Sequence, residues 1–374
     1  MKYLLINEAL GVASTGKITA ELAAELEKQG HEVRVGYGRG HSSVPEWCRK
    51  YGIRIGSDYS VLSHIALTRI TDRHGQGSKH ATRVFLKKCD AFDPDVVWLH
   101  NLHGYYIHYG LLFDWIKSRP KMKVYWTLHD CWAFTGHCAH FVVFNCDKWR
   151  TLCDNCPAVH RYPSSFTDRS RQNYLDKKKA FTGVSDLTIY TPSEWLKALV
   201  EQSFLGCYPV TVRPNTLDHT VFHPVESTFR KDRGLENRIV LLSVANVWGP
   251  LKGLADLLEL SKMLDDRFVM VLVGLDQKTI ETLPANMIGI QRTRDGHALA
   301  ELYSTGDLLI NPSRAETFGM TVLEAQCCGT KAIVYQGTAC VEVLGEDGGW
   351  AVEPGAVHIY DKLMEIYPPE SEEA

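Results

Sequence analysis

Two glutamates eight positions apart, Glu316 and Glu324, lie in the stretch with the clearest chemical potential, Asp307 to Thr330, DLLINPSRAETFGMTVLEAQCCGT. Its apolar opening, Leu308 to Ile310, reads as a short buried strand. Asn311, Pro312 and Ser313 break that strand into a loop, and Val322, Leu323, Ala325 and Gln326 follow with helical spacing up to Gly329. A strand feeding a helix through a glycine-containing loop presents backbone N–H groups at the helix head, where the helix dipole favours anions and phosphate above all. Glu316 falls in the loop and Glu324 about a turn into the helix. Carboxylates so placed can hold hydroxyl groups on either side of a bound diphosphate.

The run NPS-x-x-E-T-F-G-M-T-x-L-E-A resembles the E-x7-E signature of retaining GT-B glycosyltransferases, in the large family 4-like group that includes many bacterial polysaccharide and lipopolysaccharide sugar transferases. The resemblance implies an α/β chain of GT-B type, with two Rossmann-like, doubly wound parallel-sheet domains facing each other across a cleft. The C-terminal domain is then expected to bind a nucleoside-diphosphate sugar, and the N-terminal domain a glycan or lipid-linked acceptor. Glu324 is expected on the ribose hydroxyls. Glu316 and the amides of Phe318, Gly319 and Met320 are expected on the sugar and its phosphates. Lys252, in the loop GPLKG, is expected to neutralise the leaving diphosphate. Similar enzymes carry an arginine just after the preceding strand, and Asn246 stands near that place here. Arg292 is expected to flank the base, Gly16 to approach the donor, and His129 to lie against the transferred sugar. Retention of anomeric configuration, without a divalent metal, also follows from the resemblance.

The remaining elements must position these groups. Lys2–Asn7, a helical pattern through Ile18, Leu22, Ala23 and Leu26, and Glu32–Tyr37 make a β-loop-α-β start. Buried strands are expected at 95–99, 124–128, 187–190, 209–212, 239–244, 268–274, 288–291 and 331–335. Two strand ends carry polar groups where such sheets bind ligands: His100, Asn101 and His103 after one, His129 and Asp130 after the other. The expected division is an N-terminal domain over 1–212, a linker over 213–225, a nucleotide-sugar domain over 226–355, and a tail over 356–374 that crosses back to the first domain or frays. The linker reading rests on PNTLD…F-x-P, which resembles the family's hinge, with Thr216 where glycine is usual.

Residues 131–157 form a cysteine-rich insert. Cys138, Cys146, Cys153 and Cys156 are expected to close a structural zinc site, with Cys131 and His137 as substitutes. Reduced thiols, or a disulfide formed on oxidation, are the alternative. Bacterial members of the resembled family carry a similar segment after HDCWAFTGHC.

Composition narrows the classes further. At 374 residues the chain can fill two cores, and its net charge of −3 argues against a dedicated nucleic-acid partner. The charge is uneven: +8 over residues 1–190 against −11 over 191–374. A basic first half suits anionic lipid or an acidic acceptor, and 161–180 is its densest basic segment. No apolar run reaches bilayer length, and MKYLLINEALG lacks the apolar core of a secretory signal. The expected location is the cytoplasm, at the inner face of a membrane if the acceptor is lipid-linked. Two competing readings remain. A non-catalytic nucleotide-sugar or glycan-binding protein predicts binding without turnover. A P-loop nucleotidase, from the match of GVASTGKI to G-x-x-x-x-G-K-[ST] with Ile18 at the hydroxyl position, predicts magnesium-dependent hydrolysis.

Overall fold

The computed structural model describes residues 1–369. It divides at the chain bond after Pro214 into two compact units, Met1–Pro214 and Asn215 onward.

The first unit is built on strands β1 (Lys2–Ile6), β2 (Glu32–Tyr37), β3 (Gly52–Arg54), β4 (Val96–Leu99), β5 (Lys123–Thr127), β6 (Leu187–Thr191) and β7 (Val210–Val212). They lie side by side in the order β3-β2-β1-β4-β5-β6-β7, and every pairing is parallel. Helices cover both faces, so the central strands are apolar throughout: Val96 to Leu99 are all buried. The chain order reverses between β1 and β4, which opens a crevice at the carboxyl ends of those strands. Asn7, fully buried after β1, bridges it by accepting from the Asn101 amide after β4 at 3.2 Å.

The second unit repeats the plan with β8 (Ile239–Val244), β9 (Phe268–Val273), β10 (Met287–Ile290), β11 (Leu308–Asn311), β12 (Lys331–Tyr335) and β13 (Gly349–Val352). Their order is β10-β9-β8-β11-β12-β13, again wholly parallel. Six consecutive buried residues make β9 the core strand. Each such Val, Leu, Met or Phe contributes about 1.5–3 kcal/mol by leaving water. Here the order reverses between β8 and β11.

The chain therefore folds as two separate doubly wound α/β domains. The segment expected to cross back to the first domain forms a helix, Ala356–Ile366, that seats Ala356, Ile359 and Leu363 in the second unit's own core with Leu257 and Leu260. Spacing at i, i+3 and i+7 puts these buried residues on one face of the helix. The expectation of a fraying tail falls partly on 370–374, outside the described residues.

The GVASTGKI segment corrects the P-loop alternative. The helix Ala13–Lys28 already includes Ala13 to Lys17. Residues 13 to 17 would have to leave the helix to form the open loop that wraps a phosphate, and that loop is not formed. Gly16 is buried in this helix, because a side chain there would press on the Ala9 carbonyl carbon and oxygen, both 3.3 Å from the Cβ position.

Candidate functional site

The second unit's reversal point gathers most of the residues singled out on the E-x7-E stretch. The loop after β8 closes with a 3-10 turn, Pro250–Lys252, and Gly253. Gly253 has φ +73°, and a Cβ there would stand 2.3 Å from the Pro312 carbonyl oxygen in the loop after β11. Only glycine tolerates both the left-handed backbone and this approach. The two loops are tied further. The Arg314 amide donates to the Leu251 carbonyl at 2.9 Å. The Arg314 guanidinium donates to both carboxylate oxygens of Asp256, at 3.0 and 2.7 Å, and the Tyr335 hydroxyl donates to Asp256 Oδ2 at 2.8 Å. Both Arg314 bonds come from one guanidinium nitrogen, Nη2, and Tyr335 holds the carboxylate from a second direction.

On that platform Lys252 Nζ forms an ion pair with Glu316 Oε1. Both side chains keep part of their surface in solvent, 35% for Lys252 and 19% for Glu316. A pair so exposed adds at most about 1 kcal/mol to stability, so it does little to hold the fold. Phe318 is buried and Gly319, with φ +104°, is the N-cap of the helix Met320–Cys327. A Cβ at Gly319 would lie 2.7 Å from Cys340 Sγ. The Val322 and Leu323 amides donate to the Gly319 carbonyl. Amides before these, at the head of the helix, have no acceptor within it and give the site its anion-seeking character.

Glu324 lies on the same helix. Its Oε2 accepts from the Tyr303 hydroxyl at 2.8 Å. Tyr303 is fully buried, and burial, with the Glu324 charge beside it, pushes its phenol well above the ordinary value. It therefore donates a neutral O–H at any ordinary pH and fixes one oxygen of the carboxylate. Sequence inspection missed this partner: Tyr303 closes a helix before β11, and no spacing rule links positions 21 apart across two elements.

Asn246, after β8, and Arg292, after β10, are both exposed. The Arg292 guanidinium donates to Asn246 Oδ1 at 2.9 Å. This brings a cation to the strand end that carries Asn246.

His129 and Gly16 belong to the first unit. His129 Nε2 lies 3.0 Å from His100 Nδ1, with the rings stacked. Burial holds the His129 imidazole down at about 4, despite the Asp130 charge. Asp130 turns instead to His103, Oδ2 to Nε2 2.6 Å, and His103 Nδ1 meets the Tyr162 hydroxyl at 2.9 Å. Burial works against the His103 cation, but Asp130 outweighs it and raises this imidazole above its usual value. Asp130 thus orients His103 rather than its sequence neighbour.

The cysteine-rich insert departs from the zinc expectation. Cys138, Cys146, Cys153 and Cys156 line one hollow. Among the described residues, however, no group of three or more His, Cys, Asp or Glu side chains is arranged to hold a metal ion. The thiols are otherwise engaged. Cys153 Sγ accepts from the Gly136 amide at 3.1 Å, and the free thiols of Cys138 and Cys156 hydrogen-bond to each other. His137, the substitute ligand, pairs through Nδ1 with buried Asp72 at 2.6 Å, and its Nε2 has no hydrogen-bond partner among the described residues. Phe141 stacked on Trp149, with Phe134 at its edge, supplies the packing. Buried Lys177 donates to the Trp132 and Thr135 carbonyls at 2.6 and 3.0 Å, beneath the Trp132 ring.

A doubly wound pair of domains, with a lysine–glutamate pair and a helix head at one reversal point, defines a sugar-transferase class. Residues 15–221 match the family model described as Glycosyltransferase Family 4, and residues 225–369 match Glycosyl transferases group 1. The chain belongs to Glycosyltransferase Family 4. It is similar to WcaC of Escherichia coli (strain K12), whose name assigns it to colanic acid biosynthesis, at 24% identity over all of this chain and 92% of that protein. Among solved structures it resembles sucrose-phosphate synthase from Thermosynechococcus elongatus, with TM-score 0.71 and 15% identity over 98% of this chain and 89% of that one. It also resembles WaaG, a glycosyltransferase involved in lipopolysaccharide biosynthesis, with TM-score 0.61 and 15% identity over 97% and 90%. A further match is Anabaena HepE in complex with UDP and glucose, with TM-score 0.61 and 14% identity over 98% and 90%.

Proposed function

We propose that the chain transfers a hexosyl group, with retention and without a metal cofactor, from a nucleoside-diphosphate sugar to a glycan or lipid-linked acceptor in cell-surface polysaccharide synthesis. The observation that carries this reading is the Lys252–Glu316 pair set at the head of the helix Met320–Cys327. Lys252, released from Glu316, meets the diphosphate. Helix-head amides of Gly319 and Met320, with Phe318 beside them, hold its oxygens, and Glu316 takes a hydroxyl of the sugar. Charge builds on the leaving phosphate in the transition state, and a fixed cation and amides stabilise it there without new covalent bonds to the protein. Glu324, steadied by Tyr303, takes the ribose hydroxyls, and Arg292, held at Asn246, flanks the nucleotide. His129 serves the acceptor side, and the first turn of the helix Ala13–Lys28, with Gly16, approaches the donor. HepE, solved with UDP and glucose, and starch synthase IV of Arabidopsis thaliana, solved with ADP, support a diphosphate nucleotide as donor. The names of WcaC and WaaG support a bacterial surface polysaccharide or lipopolysaccharide as product. We place the reaction at the inner face of a membrane. No helix among the described residues is long and apolar enough to cross one.

The test is transfer from a panel of α-linked nucleotide-sugars to lipid-linked and free glycan acceptors, with the product anomer read by NMR. An α-linked product formed in the presence of a chelator supports the reading. A β-linked product overturns retention, and tight donor binding without turnover moves the chain to the binding-protein class.

Tyr303→Phe probes the donor half. Phenylalanine keeps the ring packing, so the loss of stability is expected to stay within about 1.5 kcal/mol. The expected result is a severalfold weaker affinity for the nucleoside diphosphate, measured by calorimetry, with unchanged affinity for its 2′,3′-dideoxy analogue. Equal weakening of both ligands would show that Tyr303 acts on packing rather than on Glu324.

A further inference from the structure

The helix Asp58–Thr71 of the first unit is turned against the usual pattern. Its buried residues are polar, His64 at 1% exposure and Thr68 at 0%. Its apolar residues face water: Tyr59 is 83% exposed, Leu62 61% and Ile70 62%. At 3.6 residues per turn Tyr59, Leu62, Ala66, Arg69 and Ile70 fall within about 100° of one another on the helix surface, and all five are exposed. His64 and Thr68 lie opposite.

The inward histidine has a structural task. Its Nε2 accepts from the Gly75 and Gly77 amides at 3.0 and 3.1 Å, and its Nδ1 meets Ser78 Oγ at 3.0 Å. These bonds staple the glycine-bearing loop that leads to the next helix, Lys79–Phe92. The outward apolar stripe has no such task within the chain.

A second segment extends the stripe. The Phe166 amide donates to the Arg69 carbonyl at 2.8 Å, and Thr167 Oγ1 donates to the Ile70 carbonyl at 2.9 Å. This fastens Phe166, 76% exposed, beside the end of the helix. Single exposed apolar side chains are ordinary, but four large ones on one fastened surface are not.

The charge around it is mainly positive: Asp58, beside Tyr59, is paired with Arg54, and Asp168 follows Phe166 and Thr167. Between Tyr59 and Cys89 the chain carries Arg69, Arg73, Lys79, Arg83, Lys87 and Lys88. The single carboxylate in that span, Asp72, is fully buried and paired with His137. All six cations are exposed.

We infer that this face, Tyr59, Leu62, Ile70 and Phe166 with Arg69 and Arg73, is a docking surface for an anionic bilayer. Aromatic and aliphatic side chains enter the boundary between headgroups and acyl chains, and the arginines meet lipid phosphates. A protein partner would also need carboxylates to match the cations, whereas an anionic bilayer supplies both the apolar layer and the charge. The inference does not depend on the donor chemistry, and failure of either leaves the other standing.

The test is co-sedimentation of the full chain with phosphatidylcholine vesicles, with and without phosphatidylglycerol. Wild type is expected to bind the phosphatidylglycerol vesicles preferentially and to be released by salt. Leu62→Ser/Ile70→Ser/Phe166→Ser is expected to lose binding at least tenfold, and Arg69→Gln with Arg73→Gln about fivefold each. All these positions are exposed, and an unchanged melting temperature would show that the variants fold. Leu62→Trp gives an independent readout, a blue shift of its emission on adding anionic vesicles. The proposal is overturned if wild type ignores phosphatidylglycerol, if the triple variant binds equally well, or if light scattering shows a dimer that the triple variant abolishes. That last result would assign the face to a second copy of the chain.

Discussion

Lys252→Ala is expected to lower kcat about 100- to 1,000-fold, the usual loss when one preorganised group is taken from a developing negative charge. The melting temperature is expected to move by no more than a few degrees, because a part-exposed pair adds at most about 1 kcal/mol. This separation of activity from stability is the mark of the site. Gly253 and the Arg314–Asp256 clamp keep the loop in place without the lysine side chain. Lys252→Arg should recover little, since a wider planar guanidinium replaces a compact ammonium at a position set for Glu316. The assay is initial rate against donor concentration for each variant, beside a thermal melt. A loss of activity that tracked unfolding would remove Lys252 from the chemistry.

The second large effect concerns acid. His64 is buried and bonded in its neutral form, and burial lowers its value from 6.5 to about 4. His74 and His100, also buried, are lowered well below 6.5, again first by burial. A lowered folded value means that the unfolded chain binds the proton more readily. The stability these groups confer is complete above about pH 6.5 and drains away as pH falls through the folded values. For His64 alone the loss reaches about 3 kcal/mol near pH 4. His103 works in the opposite direction. Its folded value is raised by Asp130, so its contribution is complete below pH 6.5 and cannot offset the acid loss by growing further. Unfolding followed by the emission of buried Trp126, Trp132 and Trp149 is expected to show the first unit weakening steeply between pH 6.5 and 4. His64→Gln should flatten part of that slope. A pH-independent midpoint over this range would contradict the assignment of these imidazoles as buried and neutral.

The strands of both units were legible because parallel strands covered on both faces are short unbroken apolar runs, such as DVVWL and FVMVLVG. The Glu316 loop was legible for a related reason. Its glycine, its carboxylates and the helix after it are contiguous, and contiguous chemistry can be read along a chain. What escaped detection joins distant positions. Tyr303 meets Glu324 across two elements, and Arg314 meets Asp256 over 58 positions. The cysteine cluster shows the opposite hazard. Spacing brought four thiols to one hollow, yet backbone amides, a thiol pair and an aromatic stack organise the insert instead. The outward apolar face of Asp58–Thr71 was hidden for another reason. Periodicity reveals an apolar stripe but not which way it turns, and His64 and Thr68 decide that through bonds to the loop beyond.

The central claim is that the second unit holds the donor through its nucleoside diphosphate. The most direct measurement is calorimetric titration of uridine, adenosine and guanosine diphosphates into wild type and Glu324→Ala, with magnesium and with a chelator. One diphosphate binding equally well in both media, and at least tenfold more weakly to Glu324→Ala, is the predicted result. Binding that needs magnesium, or that Glu324→Ala leaves untouched, would contradict it.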